Sequence, residues 1–158
     1  MLRQILLIVI LLTGAWSVRG QNDEVPRELG KRFERYARAW KHRDWNVIYD
    51  LTAPNIQKLL LQDSESETQE EWVRHQEKEI KDKINSLEAT ASYRLSDVLF
   101  TLSIVTKGKH PDGKEFSSES YASFQLFEGR WYLVEPVPPK AAMDIRRKER
   151  ERERDKKP

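Results

Sequence analysis

The sequence predicts a single α+β domain in which N-terminal helices pack on one face of an antiparallel sheet. Apolar residues recur at helical spacing in the first half of the chain and alternate with polar residues from about residue 87 onward, and turn signals separate the alternating runs. Helices followed by consecutive antiparallel strands are typical of the α+β class. A chain of 158 residues, 38% of them hydrophobic, has room for one core and not for two.

Residues 1–20 have the features of a secretory signal peptide. Arg3 supplies a positive charge, residues 5–12 are uninterrupted aliphatics, and Val18-Arg19-Gly20 ends in a small residue before Gln21. We expect cleavage at this point and a periplasmic or secreted mature chain. The alternative is an uncleaved N-terminal membrane anchor, although the apolar run is shorter than the roughly 20 residues that span a bilayer.

A linker over residues 21–28 leads to a first helix, which is predicted from Leu29 to Trp40. Asp44 then suits the N-cap of a second helix, which ends before Pro54 because a proline disfavours helical backbone in the residue ahead of it. The apolar positions of the first helix recur at spacings that place them on one face. They are Leu29, Phe33, Tyr36, Ala37 and Trp40.

Two further helical segments are expected before the sheet. Asn55 can cap the first of them, and the polar residues 62–67 are expected to form a loop after it. Thr68 and Glu71 match a capping box, in which the two side chains satisfy free backbone N–H groups at a helix start. A charged helix is therefore expected over about residues 69–84.

Four strands are predicted in the second half of the chain. His110-Pro111-Asp112-Gly113 is a strong turn signal, and Glu128-Gly129 has the spacing of a two-residue hairpin. The strands between these turns should pair with their sequence neighbours, because short connections favour antiparallel pairing. The predicted strands cover residues 87–95, 98–104, 116–127 and 130–134.

Residues 138–158 are expected to form a charged tail. Residues 140–158 contain nine basic and five acidic residues, whereas a mature chain without residues 1–20 has 26 of each. Alternating Arg and Glu place like charges four residues apart, so helical stabilisation largely cancels. A disordered or frayed helical tail is expected, and the alternative is weak attraction to anionic lipid or cell-wall polymer.

Composition excludes several kinds of chemistry. The chain has no Cys, which removes disulfides, thiolate metal sites and cysteine nucleophiles. His42, His75 and His110 have no second ligand at a metal-binding spacing, and the chain has no Gly-rich phosphate loop or nucleophile elbow. We therefore expect no metal and no cofactor, and a secreted location argues against a nucleic-acid partner.

The order of elements resembles the nuclear transport factor 2-like superfamily, which includes SnoaL-like polyketide cyclases and ketosteroid isomerase. The resemblance implies a cystatin-like cone fold over residues 29–137, with a pocket between the curved sheet and the first helix. The matching residues at the front are Phe33, Tyr36, Ala37, Trp40, Asp44, Trp45, Ile48, Tyr49, Leu51 and Pro54, and those at the back are Glu128-Gly129-Arg130-Trp131-Tyr132-Leu133.

The implied pocket has eight aromatic side chains available to line it, and the alternative is that they are core. We expect a secreted, non-enzymatic domain that binds a small apolar ligand or a protein partner, with a homodimer through the sheet as a further expectation. The alternative function is a SnoaL-like isomerase, cyclase or dehydratase using general acid–base chemistry, for which Asp50, Glu88, Asp97 and Glu119 are the available carboxylates. The candidate pocket residues are Tyr36, Trp40, Tyr49, Trp72, Tyr93, Phe100, Tyr121 and Trp131.

Overall fold

The computed structural model describes residues 23–140 and confirms the α+β class, with four helices before a four-stranded antiparallel sheet. The predicted signal peptide, the alternative membrane anchor and almost all of the charged tail lie outside the described residues. No helix within the described part is long and apolar enough to cross a membrane. The elements are α1 (Arg27–His42), α2 (Trp45–Leu51), α3 (Pro54–Asp63), α4 (Gln69–Glu79), β1 (Lys83–Ser96), β2 (Leu99–Lys109), β3 (Glu115–Phe127) and β4 (Arg130–Val134).

The sheet is a meander in the order β1-β2-β3-β4, in which each strand pairs with its sequence neighbour. Glu128 and Gly129 join β3 to β4 with φ angles of 49° and 75°, which confirms the predicted two-residue hairpin. β1 is an edge strand whose pairing with β2 shifts register at three places. β4 is the other edge, where Leu133 accepts a 2.9 Å hydrogen bond from the Ala53 N–H.

α1 packs on one face of the sheet and closes the first of two hydrophobic clusters. Leu29 and Phe124 are fully buried there, as the amphipathic pattern of α1 and the alternation of β3 require. Tyr36 approaches Phe124 edge-on, with ring centroids 6.3 Å apart. We call this group the sheet cluster; it comprises Leu29, Phe100, Leu102, Ile104, Ala122, Phe124 and Trp131.

The second hydrophobic cluster lies among the helices. Trp45 of α2 and Trp72 of α4 are each 2% exposed, and the Trp45 ring meets that of Trp40 edge-on at 5.1 Å. Arg43, in the left-handed region at the end of α1, donates hydrogen bonds from its guanidinium to the carbonyl oxygens of Glu77 and Ile80 near the end of α4. We call this group the helix cluster; it comprises Ala39, Trp45, Ile48, Tyr49, Leu60 and Trp72.

Two predicted helix caps are confirmed. The Asp44 carboxylate accepts a 3.2 Å hydrogen bond from the Val47 N–H at the start of α2. The Thr68 hydroxyl accepts one of 3.3 Å from the Glu71 N–H at the start of α4. Both bonds satisfy backbone donors that have no partner within their helix.

Several predicted boundaries are wrong, among them that of α1, which begins at Arg27 inside the linker predicted over residues 21–28. Asn55 is not a cap, because Pro54 occupies the first helical position and Ala53 precedes it as N-cap; the fixed φ of proline suits that place. α3 runs to Asp63, so the loop predicted over 62–67 begins later. α4 ends at Glu79 and not at 84, since Ile84 pairs with Gly108 in the sheet, and strand pairing overrides helical periodicity.

The chain after β4 crosses the sheet at a buried polar pair. Tyr93, Thr101 and Ser123 are aligned across β1, β2 and β3. The Thr101 and Ser123 hydroxyls lie 2.7 Å apart and are both fully buried. Ser123 accepts a 2.8 Å bond from the Val137 N–H, and Thr101 donates one of 3.0 Å to the Val137 carbonyl. The two hydroxyls therefore hold the segment 135–138 against the sheet.

Candidate functional site

An open groove of about 640 Å³ lies beside the sheet edge formed by β4. α1, α2, α3 and β4 all contribute to its wall. Four of its lining side chains are basic and two are acidic, so we call it the basic groove. Its lining residues are Glu28, Lys31, Arg32, Arg35, Asp50, Pro54, Gln57, Arg130 and Tyr132.

In α1 and β4, the residues that line the groove occupy the positions that face away from the core. In α1, residues 28, 31, 32 and 35 are spaced by three or four positions, so they share one helix face. In β4, Trp131 and Leu133 pack with the sheet cluster, whereas Arg130 and Tyr132 take the alternate positions and line the groove. The polar faces of α1 and β4 thus lie side by side and form part of the groove wall.

Within the described residues, the lysine of the groove is paired with an acid, whereas its three arginines are not. Lys31 is paired with Glu28 at 2.8 Å. Among residues 23–140, no ion pair includes Arg32, Arg35 or Arg130. Partial burial lowers the pKa of Arg32, and the nearby charges of Arg130 and Arg35 lower it further. Since an arginine stays protonated at neutral pH, an incoming anion would relieve this repulsion.

Neighbouring groups hold parts of the groove in place. The Arg32 guanidinium lies 6.0 Å from the centroid of the Tyr132 ring, a cation–π distance. The Gln57 side-chain amide donates a 2.8 Å hydrogen bond to the Tyr49 carbonyl, which anchors it at the α3 wall. Guanidinium groups present paired donors that match the two oxygens of a carboxylate or a phosphate. The groove can therefore bind an anionic group at a prepared surface.

The predicted pocket aromatics are divided among several environments. Phe100 and Trp131 lie in the sheet cluster with ring centroids 5.7 Å apart, and Tyr36 packs against that cluster. Burial raises the pKa of Tyr36 to about 12. Tyr49 and Trp72 meet at 5.4 Å in the helix cluster, where Trp40 packs against them. Three of these six residues thus lie in or against the sheet cluster and three in or against the helix cluster.

The other two predicted residues lie elsewhere on the sheet. Tyr93 is 8% exposed and aligned with Thr101, whereas Tyr121 is 42% exposed. None of the eight predicted pocket residues lines the basic groove. Ligand contact by these residues, like a homodimer through the sheet, stays a prediction.

The sequence reasoning missed most of the residues that line the groove. Of the carboxylates considered from the sequence, only Asp50 lies there. The available signal was a second, charged stripe on α1 and the polar alternate positions of β4. Neither pattern identifies a site by itself, because exposed charged faces are common on helices and strands.

No metal centre is found within the described residues, where His, Asp and Glu form no group of three at ligating distance. His110 pairs through Nδ1 with Asp82 at 3.0 Å, and its ring lies against Phe116 with centroids 4.8 Å apart. His42 ends α1, and His75 is exposed on α4. The described histidines thus do not meet at a common site.

Comparison with known proteins finds similarity in solved structures only. No protein-family model and no curated protein matches the chain. A SEC-C motif containing protein from Psychrobacter arcticus has a TM-score of 0.50 and 18% sequence identity, over 73% of this chain and 64% of that one. One from Rhodopseudomonas palustris has a TM-score of 0.49 and 20% identity, over 65% and 71%. The chain thus spans just under two thirds of the Psychrobacter protein.

The structural comparison corrects the resemblance seen in the sequence. The Psychrobacter protein is a SEC-C motif containing protein and not a member of the nuclear transport factor 2-like superfamily, so the expected SnoaL-like class and its cone fold are wrong. The residues that suggested the resemblance mark a helix stripe, an N-cap and a tight hairpin. Such features arise locally in any domain with this order of elements, so they identify the α+β class and not a family.

Proposed function

We propose that this chain is a non-enzymatic binding domain that recognises an acidic segment of a protein partner through the basic groove. The proposal is carried by Arg32, Arg35 and Arg130, which line one open groove and form no ion pair within residues 23–140. Charges left unpaired on a folded surface attract a partner of opposite charge and orient it during binding.

The lining supports a protein partner over a small apolar ligand. Sites for apolar ligands are lined mainly by hydrophobic and aromatic side chains, whereas most residues of this groove are charged or polar. Glu28 and Asp50 offset part of the positive charge. The groove therefore suits the carboxylates of an acidic peptide, and Asp50 can accept hydrogen bonds from peptide N–H groups.

We also propose that this binding takes place outside the cytoplasm. Support comes from residues 1–20, whose basic start, aliphatic centre and small terminal residue match an export signal. An acidic partner in the same compartment would meet the groove without competition from the nucleic acids of the cytoplasm.

A fluorescein-labelled oligoglutamate peptide is the direct probe of the groove. Fluorescence anisotropy should show binding that weakens as salt is added, since salt screens exposed charges. Arg35→Ala and Arg130→Ala should each weaken binding roughly two- to fivefold, the range of exposed ion pairs. Arg38→Ala is the matched control, because Arg38 is an exposed arginine of α1 outside the groove lining.

The control variant should bind the peptide as the unsubstituted protein does. Equal losses in Arg35→Ala, Arg130→Ala and Arg38→Ala would indicate attraction to total charge, and the proposed site would be wrong. An oligolysine peptide that bound equally well would exclude charge recognition altogether.

A further inference from the structure

A second charged surface lies at the far end of α3. Residues 62–71 contain five acidic residues and no basic one. Asp63, Glu65, Glu67 and Glu70 are exposed, and none of them forms an ion pair within the described part of the chain. We call residues 63–70 the acidic segment.

The acidic segment is held in a defined shape. The Ser64 hydroxyl donates a 2.7 Å bond to the Leu60 carbonyl and lies 2.9 Å from the Ser66 hydroxyl. The Ser66 N–H donates to the Leu61 carbonyl at 2.9 Å, and Glu65 takes a φ of 53° between the two serines. Because the backbone is already ordered, the carboxylates can be bound at a lower entropic cost than those of a flexible loop.

The groove and the start of the acidic segment lie on different faces of α3. Gln57 lines the groove, whereas Leu59 follows it by two residues and points about 200° away around the helix axis. Asp63 is four residues beyond Leu59 and so shares its face. Leu59 is 47% exposed, which adds an apolar contact beside the acidic segment. Within α3, the groove residue Gln57 and the first acidic residue, Asp63, therefore face different directions.

We propose that the partner of the basic groove is the acidic segment of a second copy of this chain. A basic groove and an acidic segment that are separate surfaces of one molecule can join copies in a head-to-tail contact, which leaves a free groove at one end and a free segment at the other. Because anion binding by the groove is itself the proposed function, the identity of the partner rests on it. The resulting oligomers dissociate as salt rises, since their contacts are exposed charges.

Sedimentation velocity of the full chain over a range of concentrations tests this arrangement. The average mass should rise with concentration at low salt and return to that of the monomer at high salt. Two variants remove charge from one surface each: the groove variant is Arg35→Gln with Arg130→Gln, and the segment variant is Glu65→Gln with Glu67→Gln. Each should self-associate roughly tenfold more weakly at low salt, because every contact between copies has lost two of the charges on one of its two surfaces.

Mixing the two variants separates a head-to-tail contact from other modes. The segment variant keeps its groove and the groove variant keeps its segment, so an equimolar mixture should form a one-to-one dimer and nothing larger. Oligomers beyond the dimer in the mixture, or a mixture that stays monomeric while the unsubstituted protein associates, would overturn the proposal.

The peptide experiment distinguishes this inference from the proposed function. If the unsubstituted chain stays monomeric at every concentration while oligoglutamate binds and is lost in Arg35→Ala, the groove recognises acidic segments of another protein and the self-association is wrong. If neither the peptide nor a second copy binds, the groove is not an anion site and both proposals fail.

Discussion

At the scale of single residues, Trp131 shows how much one side chain contributes to the sheet cluster. It is 6% exposed, and its ring meets Phe100 edge-on. Trp131→Ala should lower the free energy of unfolding by about 3–5 kcal/mol, because the cavity left behind cannot fully collapse. Urea denaturation measures the change, with Tyr121→Ala as the exposed control. A midpoint near that of the unsubstituted protein for Trp131→Ala would show that the ring is not part of the core.

The raised pKa of Tyr36 makes the free energy of unfolding depend on pH in the alkaline range. Burial raises its pKa to about 12 from 10.0, so the folded state keeps a proton that the unfolded state loses between those values. Ionisation then favours the unfolded state, and stability should fall as pH rises through this window, with no contribution below it. In Tyr36→Phe the fall should be shallower.

Denaturant midpoints measured from about pH 9 to pH 12 test this dependence, because this range includes the interval between the two pKa values of Tyr36. Tyr121→Phe, at an exposed position, should follow the unsubstituted protein. Parallel curves for Tyr36→Phe and the unsubstituted protein would contradict a buried, neutral hydroxyl at this position.

Local features of single residues could be predicted from the sequence, whereas the residues of the site could not. Asp44 and Thr68 each bond to an N–H three residues ahead, so a short stretch of sequence contains the whole interaction. The groove depends on Arg32 and Arg130 lying close together in space, although they are near opposite ends of the domain in sequence. That meeting follows from the docking of α1 beside β4, which no local pattern specifies.

At the scale of elements, the segment 135–138 depends on the two buried hydroxyls beneath it. Ser123→Ala removes the acceptor of the Val137 N–H and leaves the Thr101 hydroxyl without one of its partners. We expect a loss of about 1–3 kcal/mol, the cost of unpaired buried polar groups. The Val137 amide should exchange with solvent much faster, which hydrogen exchange measures.

Ser120→Ala, on the same strand but outside this pair, is the control for Ser123→Ala. It should leave the protection of the Val137 amide unchanged. Equal exchange of that amide in Ser123→Ala and in the unsubstituted protein would mean that the segment is held by other contacts.

Element types were easier to predict than element ends. Alternation and turn residues identified the four strands, and their sequence order is also their order in the sheet. The end of α4 was missed because Ile84 fits both a helical stripe and a strand position. Pairing with β2 decides between the two, and the partner, Gly108, is distant in the sequence. Tertiary contact therefore sets the boundary that local periodicity leaves open.

At the scale of the whole molecule, export is the prediction that most affects where the groove meets its partner. We expect processing between Gly20 and Gln21. Asp23, close behind this point, donates its N–H to the Ser92 carbonyl at 3.3 Å and accepts a 2.7 Å bond from the Arg94 N–H through its carboxylate. Intact mass of protein recovered from outside the cytoplasm measures the site, and a retained Met1 would contradict cleavage.

The class of the fold followed from the sequence, but the family did not. Residue patterns record which segments are helices or strands and which faces they bury, and these settled the α+β class. A resemblance between families depends on how helices lie on the sheet and how strands bend, and those depend on packing between distant segments such as Leu29 and Phe124. Patterns such as the Glu128-Gly129 hairpin recur in unrelated domains, so they favoured a family that the fold does not support.

The three register shifts in β1 have a consequence for how copies of this chain can come together. Apart from the Ser92 carbonyl and the Arg94 N–H, which bind Asp23, an edge strand of 14 residues presents a row of backbone donors and acceptors on which fibrils could grow. Each shift, such as that between Ala89 and Ala91, places an extra residue in the ladder and increases the local twist. A strand from another molecule therefore cannot pair regularly along the whole of β1. Amyloid-like growth from this edge is disfavoured even at high local protein concentration.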